Sequence, residues 1–476
     1  MEDRMFIGRK RELNSLERLY HQQGFGMTVI YGRRRIGKTT LIREFLKGKK
    51  AIFYTAAKVG KMRNLELFSQ QAISLLDASL TGAAFSSLEA VFDFITDRLN
   101  EDKLVLVIDE LPYWAQDDSA LLSVLQKYID TRWSEQNLMI ILCGSSLSFM
   151  ENKVLSEKSP LFGRRSSQIR LEAFDYLEAA MFVPDYSAEE KAIIYGITGG
   201  VAKYLSLIDP QCSADDNIKA QFFNTDGYLY DEPRNLLAQE FTDVSLVNNV
   251  IEQIASGSNT VNEISQKIRQ NYSTVLYTLD RLIQVGLVTK KKCITEEKNK
   301  KKTQYVLKDH MFRFWYAFIP KATSLIEIGN GDLYFDQVVK PQIHNYMGCV
   351  FEDMCRYYTL RKGSCGAFGN ILTDVGTWWG TEVLRQDTEK VQQSADIDVV
   401  GISDLDKTAV LGECKFKKEK IDKNVYDTLL RRSAVFSGKY RVIRFLFFSL
   451  GGYTSWFDSM QDKSVILLTL DDLYRG

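Results

Sequence analysis

The chain has 476 residues, 45% of them hydrophobic, and only 7 prolines; the length exceeds one compact core, and the composition excludes a disordered or linker-rich protein. Lys plus Arg and Asp plus Glu each number 61, so the net charge is zero and contact with nucleic acid has to come from a local patch. Seven cysteines without a Cys-x-x-Cys pair, three histidines (His21, His310, His344), a charged N-terminus and no apolar run of about 18 residues argue against a zinc site, a signal peptide and a membrane span; reduced thiols and a cytoplasmic location are expected.

Phe6-Ile7-Gly8-Arg9 leads into Glu12, Leu13, Leu16 and Leu19 at helical spacing, which on its own is a core-facing helix entered through a glycine turn. Val29-Ile30-Tyr31 is a short apolar run, and Gly32-Arg33-Arg34-Arg35-Ile36-Gly37-Lys38-Thr39 follows it in the pattern Gly-x-x-x-x-Gly-Lys-Thr. Thr40, Leu41, Ile42, Phe45 and Leu46 then continue as a helix, the order that a phosphate-binding loop requires. The glycines let backbone N–H groups curl round the β-phosphate of ATP, Lys38 is expected to pair with the β- and γ-phosphates, and Thr39 to ligate Mg²⁺. A basic turn without nucleotide is the plain alternative. The three arginines in the middle of the loop are unusual there; they form a solvated rim or a link to a neighbouring domain or subunit.

Ala51-Ile52-Phe53-Tyr54 reads as a second strand. Leu104 to Ile108 is a continuous apolar run ending in Asp109-Glu110, as a strand buried on both faces of a parallel sheet would read. Asp109 is expected in the Mg²⁺ shell and Glu110 to orient the attacking water. Leu138 to Cys143 is the next buried strand and ends in Gly144-Ser145-Ser146, where either serine could sense the γ-phosphate or the attacking water, or merely close a turn. Pro160-Leu161-Phe162-Gly163-Arg164-Arg165 offers two guanidinium groups from a glycine turn, one of which could stabilise charge on the γ-phosphate, in its own subunit or a second copy.

With Thr198-Gly199-Gly200-Val201-Ala202-Lys203-Tyr204-Leu205, these stretches resemble the prokaryotic, archaeal-type AAA ATPase family, related to the signal-transducing STAND group. The family's usual proline is Ala202 here. The resemblance covers nearly the whole chain and implies an α/β, AAA-type parallel-sheet ATPase core with a helical lid, a winged helix-turn-helix and a C-terminal restriction-endonuclease-like domain. It also implies that Phe6, Gly8 and Arg9 belong to a segment folded over the adenine. The expected divisions are 1–185 for the ATPase core, 186–240 for the lid, 241–307 for the winged helix and 308–476 for the nuclease-like domain.

Val250, Ile251, Ile254, a capped start at Thr260-Val261-Asn262-Glu263, and Val275, Leu279, Leu282 and Ile283 give three short helices before a basic hairpin. The hairpin carries Lys290, Lys291, Lys292, Lys298, Lys300, Lys301 and Lys302, which could meet DNA phosphates while Tyr272, Tyr277 and Arg281 face a groove. A solvated loop, or a winged helix used only for packing, is the alternative. Phe312-Arg313-Phe314-Trp315-Tyr316-Ala317-Phe318 is an aromatic block expected in a core. Beyond it come a helix carrying Glu352, a strand ending near Gly380, a second with Asp398, a third with Glu413-Cys414-Lys415, then a helix and a strand. Residues two apart on a strand share a face, so Glu413 and Lys415 project together. The order resembles the PD-(D/E)xK nuclease core, with Asp398, Glu413 and Lys415 at its motif positions. That resemblance implies a divalent cation held by Asp398 and Glu413, with Glu352 completing its shell, and Lys415 beside the scissile phosphate. The same fold also serves as a binding or structural module.

Overall fold

A computed structural model describes residues 6–296, 303–386 and 389–475. Their contacts divide them into two compact units, one formed by residues up to Phe174 with Val201–Tyr204, the other by Asp175–Gly200 and the chain from Leu205 onward.

The first unit is built on five parallel strands: β1 (Gly26–Tyr31), β2 (Ala51–Thr55), β3 (Leu104–Asp109), β4 (Leu138–Gly144) and β5 (Ser167–Arg170), in the order β2-β3-β4-β1-β5. The apolar runs are continuous because β1, β3 and β4 are buried at every position. Alternate residues serve opposite faces. Val29, Leu106, Ile108, Ile140 and Leu142 enter one core with Trp114 and Trp133, while Ile30, Val105, Val107, Ile141 and Cys143 enter the other with Leu16, Leu41 and Phe45. The second core seats α1 (Lys10–His21) and α2 (Lys38–Leu46) against the sheet. A helix, α3 (Leu111–Asp117), starts directly after β3.

The second unit begins with helices. α4 (Ala188–Thr198) carries a capping box between Ser187 and Glu190 and ends on Gly199 and Gly200, both left-handed at φ 60° and 68°. α5 (Val244–Ala255), α6 (Val261–Ile268) and α7 (Tyr272–Gln284) are the three expected short helices. The Thr260–Glu263 capping box and the Asn271 cap set their starts. The hairpin β6 (Val288–Lys291) and β7 (Gln304–Leu307) follows in antiparallel register; Lys298, Lys300, Lys301 and Lys302 lie outside the described residues. The aromatic block is α8 (His310–Phe318), with Phe312, Phe314, Trp315, Tyr316 and Phe318 all buried.

The long helix α9 (Lys340–Gly363) then crosses the second sheet and buries Ile343, Met347, Val350, Phe351 and Met354. The sheet holds β8 (Asp374–Gln386), β9 (Glu389–Ser403), β10 (Thr408–Lys415), β11 (Arg441–Ser449) and β12 (Val465–Thr469), ordered β12-β11-β10-β9-β8. β8, β9 and β10 are antiparallel neighbours, and β11 joins parallel to β10 after the helix α10 (Lys423–Ser433). Two details correct the sequence reading. β8 does not end near Gly380 but continues to Gln386 in a long ladder with β9, and a further parallel strand, β12, extends the other edge. Residues of the hairpin connection also pair with β8: Cys293 bridges Thr377, and the Ile294 amide donates to the Thr377 carbonyl at 3.0 Å. This covers part of an otherwise open sheet edge.

Candidate functional site

The loop between β1 and α2 is shaped by two glycines. A Cβ on Gly32 would lie 2.3 Å from the Leu171 carbonyl oxygen and 2.5 Å from Ile36 Cδ1, so a side chain has no room there. Gly37, at φ 92°, opens α2 in a conformation L residues rarely adopt, with Ala202 Cβ 3.3 Å from where its own Cβ would be. Ile36 is fully buried in the core beneath the loop, so its side chain is an anchor, and Thr40 is exposed on the first turn of α2. Lys38 is only 6% exposed, and its ammonium donates to the carbonyls of Gly32 (2.9 Å) and Arg33 (3.0 Å). Burial lowers its pKa against the opposing pull of Asp109 and Glu110.

Thr39 Oγ1 donates to Asp109 Oδ2 at 2.8 Å. The other Asp109 oxygen accepts the Glu110 amide at 3.0 Å. Glu110 sits in the left-handed region at φ 51°, between the end of β3 and the start of α3, and its carboxylate accepts from Ser145 Oγ at 2.7 Å and from the Ser145 amide at 3.3 Å. Parallel pairing of Ile108 with Leu142 places the two strand ends side by side, which is why Glu110 and Ser145 meet. Ser146 instead caps the following turn through the Phe149 amide. Cys143, fully buried on β4, faces Asp109, and burial pushes its thiol pKa well up.

The remaining candidates of this unit are placed as follows. Arg9, left-handed at φ 58°, donates to the carbonyls of Ile36 (3.2 Å) and Glu172 (2.6 Å) and lies over the Phe174 ring at 4.1 Å. It braces the loop from the N-terminal segment, where Gly8 is also left-handed and Phe6 packs on the core under α2. Arg34 donates to Tyr113 Oη on α3 at 2.6 Å, and the Arg35 carbonyl accepts the Lys203 amide at 3.0 Å. Arg164 is clamped by both oxygens of Asp130 at 2.6 and 2.7 Å and also donates to the Pro160 and Phe162 carbonyls. Arg165 donates to the Leu155 carbonyl and lies over Phe162. Thr39, Asp109, Glu110 and Ser145 are linked by hydrogen bonds, Lys38 is held by the loop's own carbonyls, and Arg164 and Arg165 bond elsewhere, to Asp130 and to the Leu155 carbonyl.

In the second unit, α9, β9 and β10 bring Glu352, Asp398, Glu413 and Lys415 together. Lys415 Nζ donates to Glu413 Oε1 at 2.6 Å, and Asp398 Oδ2 accepts the Cys414 amide at 2.9 Å. Arg356, one turn after Glu352, donates to Glu352 (3.3 Å), to Asp353 (2.6 Å) and to the Asp398 carbonyl (2.8 Å). Burial, with the negative charge of Asp398, pushes the Glu413 pKa up to about 7, and burial with the same neighbour raises Glu352. Among the described residues no three His, Cys, Asp or Glu side chains are grouped as metal ligands; here Glu352 accepts from Arg356, Asp398 from the Cys414 amide and Glu413 from Lys415.

The winged-helix candidates divide. Tyr272 and Tyr277 are 52% and 64% exposed on α7. Arg281 is not groove-facing: it donates to the Glu240 carbonyl at 3.2 Å and lies over Phe241. Lys290 pairs with Asp280 at 3.3 Å, and Lys291 sits over the Trp379 ring at 5.9 Å.

Residues 6–208 match the family described as an ATPase domain predominantly from Archaea. The chain belongs to this archaeal ATPase family. Downstream of the ATPase domain, residues 315–425 match a family of archaeal and bacterial proteins of unknown function. An uncharacterized protein of Methanocaldococcus jannaschii is 28% identical over 431 residues, covering 90% of this chain and 92% of the relative. An uncharacterized ATP-binding protein of the same organism is 50% identical over 46 residues, 10% of this chain and 78% of its own. A Walker-type ATPase of Pyrococcus abyssi covers 66% of this chain and 96% of its own at 18% identity, with a TM-score of 0.47. Two contacts of the ATPase domain had no signal in the sequence: Tyr113 as the partner of Arg34, and Ser145 as the partner of Glu110. The spacing of Cys293 and Ile294 within a basic hairpin likewise gave no sign of their pairing with β8.

Proposed function

We propose that this archaeal-type ATPase is a Mg²⁺-dependent ATP-hydrolysing switch that couples nucleotide state to nucleic-acid contacts of its second unit. The observation that carries the reading is the pair Thr39 Oγ1 and Asp109 Oδ2 at 2.8 Å beside the Gly32–Lys38 loop. A hydroxyl and a carboxylate at that distance are hard oxygen donors suited to Mg²⁺, which when bound would neutralise charge on the phosphates. The loop's backbone amides cradle the phosphates, Lys38 turns from the Gly32 and Arg33 carbonyls toward them, and Glu110 orients the attacking water. Ser145 fixes the direction of the Glu110 carboxylate. Arg164 and Arg165 would serve the γ-phosphate only after leaving Asp130 and Leu155.

The working division of the chain is an ATPase core (1–185), a helical lid (186–240), a winged helix (241–307) and a restriction-endonuclease-like domain (308–476). The decisive measurement is ATP turnover with and without DNA. Lys38→Ala is expected to abolish nucleotide binding or turnover; normal hydrolysis by that variant would remove the site assignment.

A second reading is favoured by the convergence of Asp398, Glu413 and Lys415: the C-terminal sheet presents a phosphodiester-processing face. Plasmid nicking with Mg²⁺ or Mn²⁺ and ATP, present in the wild type and absent in Asp398→Ala, is its required outcome. No nicking by the wild type leaves a nucleotide-gated binding module.

A further inference from the structure

β6 ends on Lys291, and the chain then meets the edge of the second sheet through a parallel bridge. Cys293 bridges Thr377, its Sγ lies 3.8 Å from the Trp379 carbonyl, and the Ile294 side chain lies close against Gly376. Cys293 and Ile294 are buried with Trp378, Ile397 and Leu411 in one core. The hairpin is thereby fixed to the sheet, and Lys291 is held over the half-buried Trp379 ring at 5.9 Å. The same ammonium acts electrostatically on Glu352, whose side chain is 24% exposed. Lys291 of β6 therefore meets the second sheet through Trp379 of β8, with Glu352 of α9 within reach of its charge.

We infer that Lys291 and Trp379 form a strand-binding subsite beside the Glu352–Asp398–Glu413 cluster, where the ammonium holds a backbone phosphate and the indole stacks an unpaired base of single-stranded nucleic acid. A lysine beside a partly exposed aromatic ring is the pairing by which such strands are held without sequence preference. The charge argument points the same way. The carboxylates repel a phosphodiester, so a strand reaching Lys415 needs a cation on the approach. Among the described wing lysines, Lys291 lies over Trp379 of the second sheet, while Lys290 of β6 pairs with Asp280 on α7. The inference rests on the reading of the carboxylate face as a phosphodiester site, but its test does not require cleavage.

The test is fluorescence anisotropy of the full chain with a labelled oligothymidine in EDTA, repeated over a range of salt concentrations. Trp379→Ala is expected to weaken binding about tenfold. Lys291→Ala is expected to lower the slope of log affinity against log salt by about 0.7, the share of one phosphate contact on a single strand. Lys291→Arg and Trp379→Phe, which keep the charge and the ring, retain binding. An unchanged slope in Lys291→Ala overturns the inference, as does absence of binding by the wild type. Metal-dependent nicking by a wild type whose Lys291→Ala slope is unchanged removes the subsite and leaves the carboxylate face. Binding with the expected slope change but no nicking removes cleavage and leaves the subsite.

Discussion

In the first unit Asp109 and Glu110 each meet a neutral hydroxyl, Thr39 at 2.8 Å and Ser145 at 2.7 Å, whereas in the second Glu352, Asp398 and Glu413 meet one another and a set of cations. A hydroxyl orients a carboxylate and leaves its charge available to a cation or a water molecule. An arginine or lysine partner neutralises the charge and has to be displaced or shared before the acid can act. In the proposed nucleotide site the two acids are therefore already oriented, and the groups that have to move are Lys38 and the two arginines. The carboxylate cluster is held in a compensated arrangement that a ligand must reorganise.

Variants of both regions sharpen that contrast. The largest effect is expected for Glu110→Gln, which keeps the shape and the Ser145 contact but removes the charge: ATP hydrolysis falls about 100-fold or more while nucleotide binding persists, as steady-state turnover and a fluorescent-nucleotide titration would read. Equal loss of binding and turnover would reassign Glu110 to a structural role. Ser145→Ala removes one hydrogen bond to that charge, and turnover is expected to drop roughly tenfold with binding unchanged.

In the second unit, the buried Glu382 accepts from Arg431 at 3.0 Å, with Arg432 at 3.6 Å. The hydrogen bond from Arg431 holds the Glu382 carboxyl below the ordinary range. A depressed acid adds stability that is present above its unfolded pKa and is lost as pH falls through its folded value. Glu382→Gln should therefore cost about 2 kcal/mol near neutral pH, and the gap to the wild type in thermal melts should close as the pH is taken below about 4. A gap independent of pH would contradict the ion-pair account. The smallest effect is expected for Thr260→Ala, which breaks the capping box of α6 and should cost about 1 kcal/mol in denaturant unfolding.

What the sequence made legible was whatever is contiguous or periodic. The loop from Gly32 to Thr39, the acids after β3 and the capping box at Thr260 are local patterns whose geometry follows from backbone rules, so their elements stand where the pattern put them. The aromatic block from Phe312 to Phe318 was equally plain, because its residues fill a core. The pairing of Glu110 with Ser145 depends on the register of β3 against β4, which no local pattern encodes. Arg281 looked like a groove-facing cation because helical spacing leaves its direction open; contact with Glu240 and Phe241 turns it inward. The docking of Cys293 and Ile294 was hidden for a different reason. Two residues of a hairpin connection carry too little periodicity to announce an edge pairing with a strand more than 80 residues away.

The chain leaves the first unit after Phe174, returns to it for the four residues Val201–Tyr204, and leaves again. In that short return the Lys203 amide binds the Arg35 carbonyl of the phosphate loop, and Ala202 lies against Gly37. The first unit is thus discontinuous in sequence, and its phosphate loop is met by a four-residue strap from the chain's second passage. A fragment ending at Phe174 would keep every residue of the Gly-Lys-Thr motif and both strand-end acids yet lack this strap, so the motif alone does not define the smallest autonomous nucleotide-binding piece. Cutting the chain on either side of the strap would open the loop without touching a single motif residue.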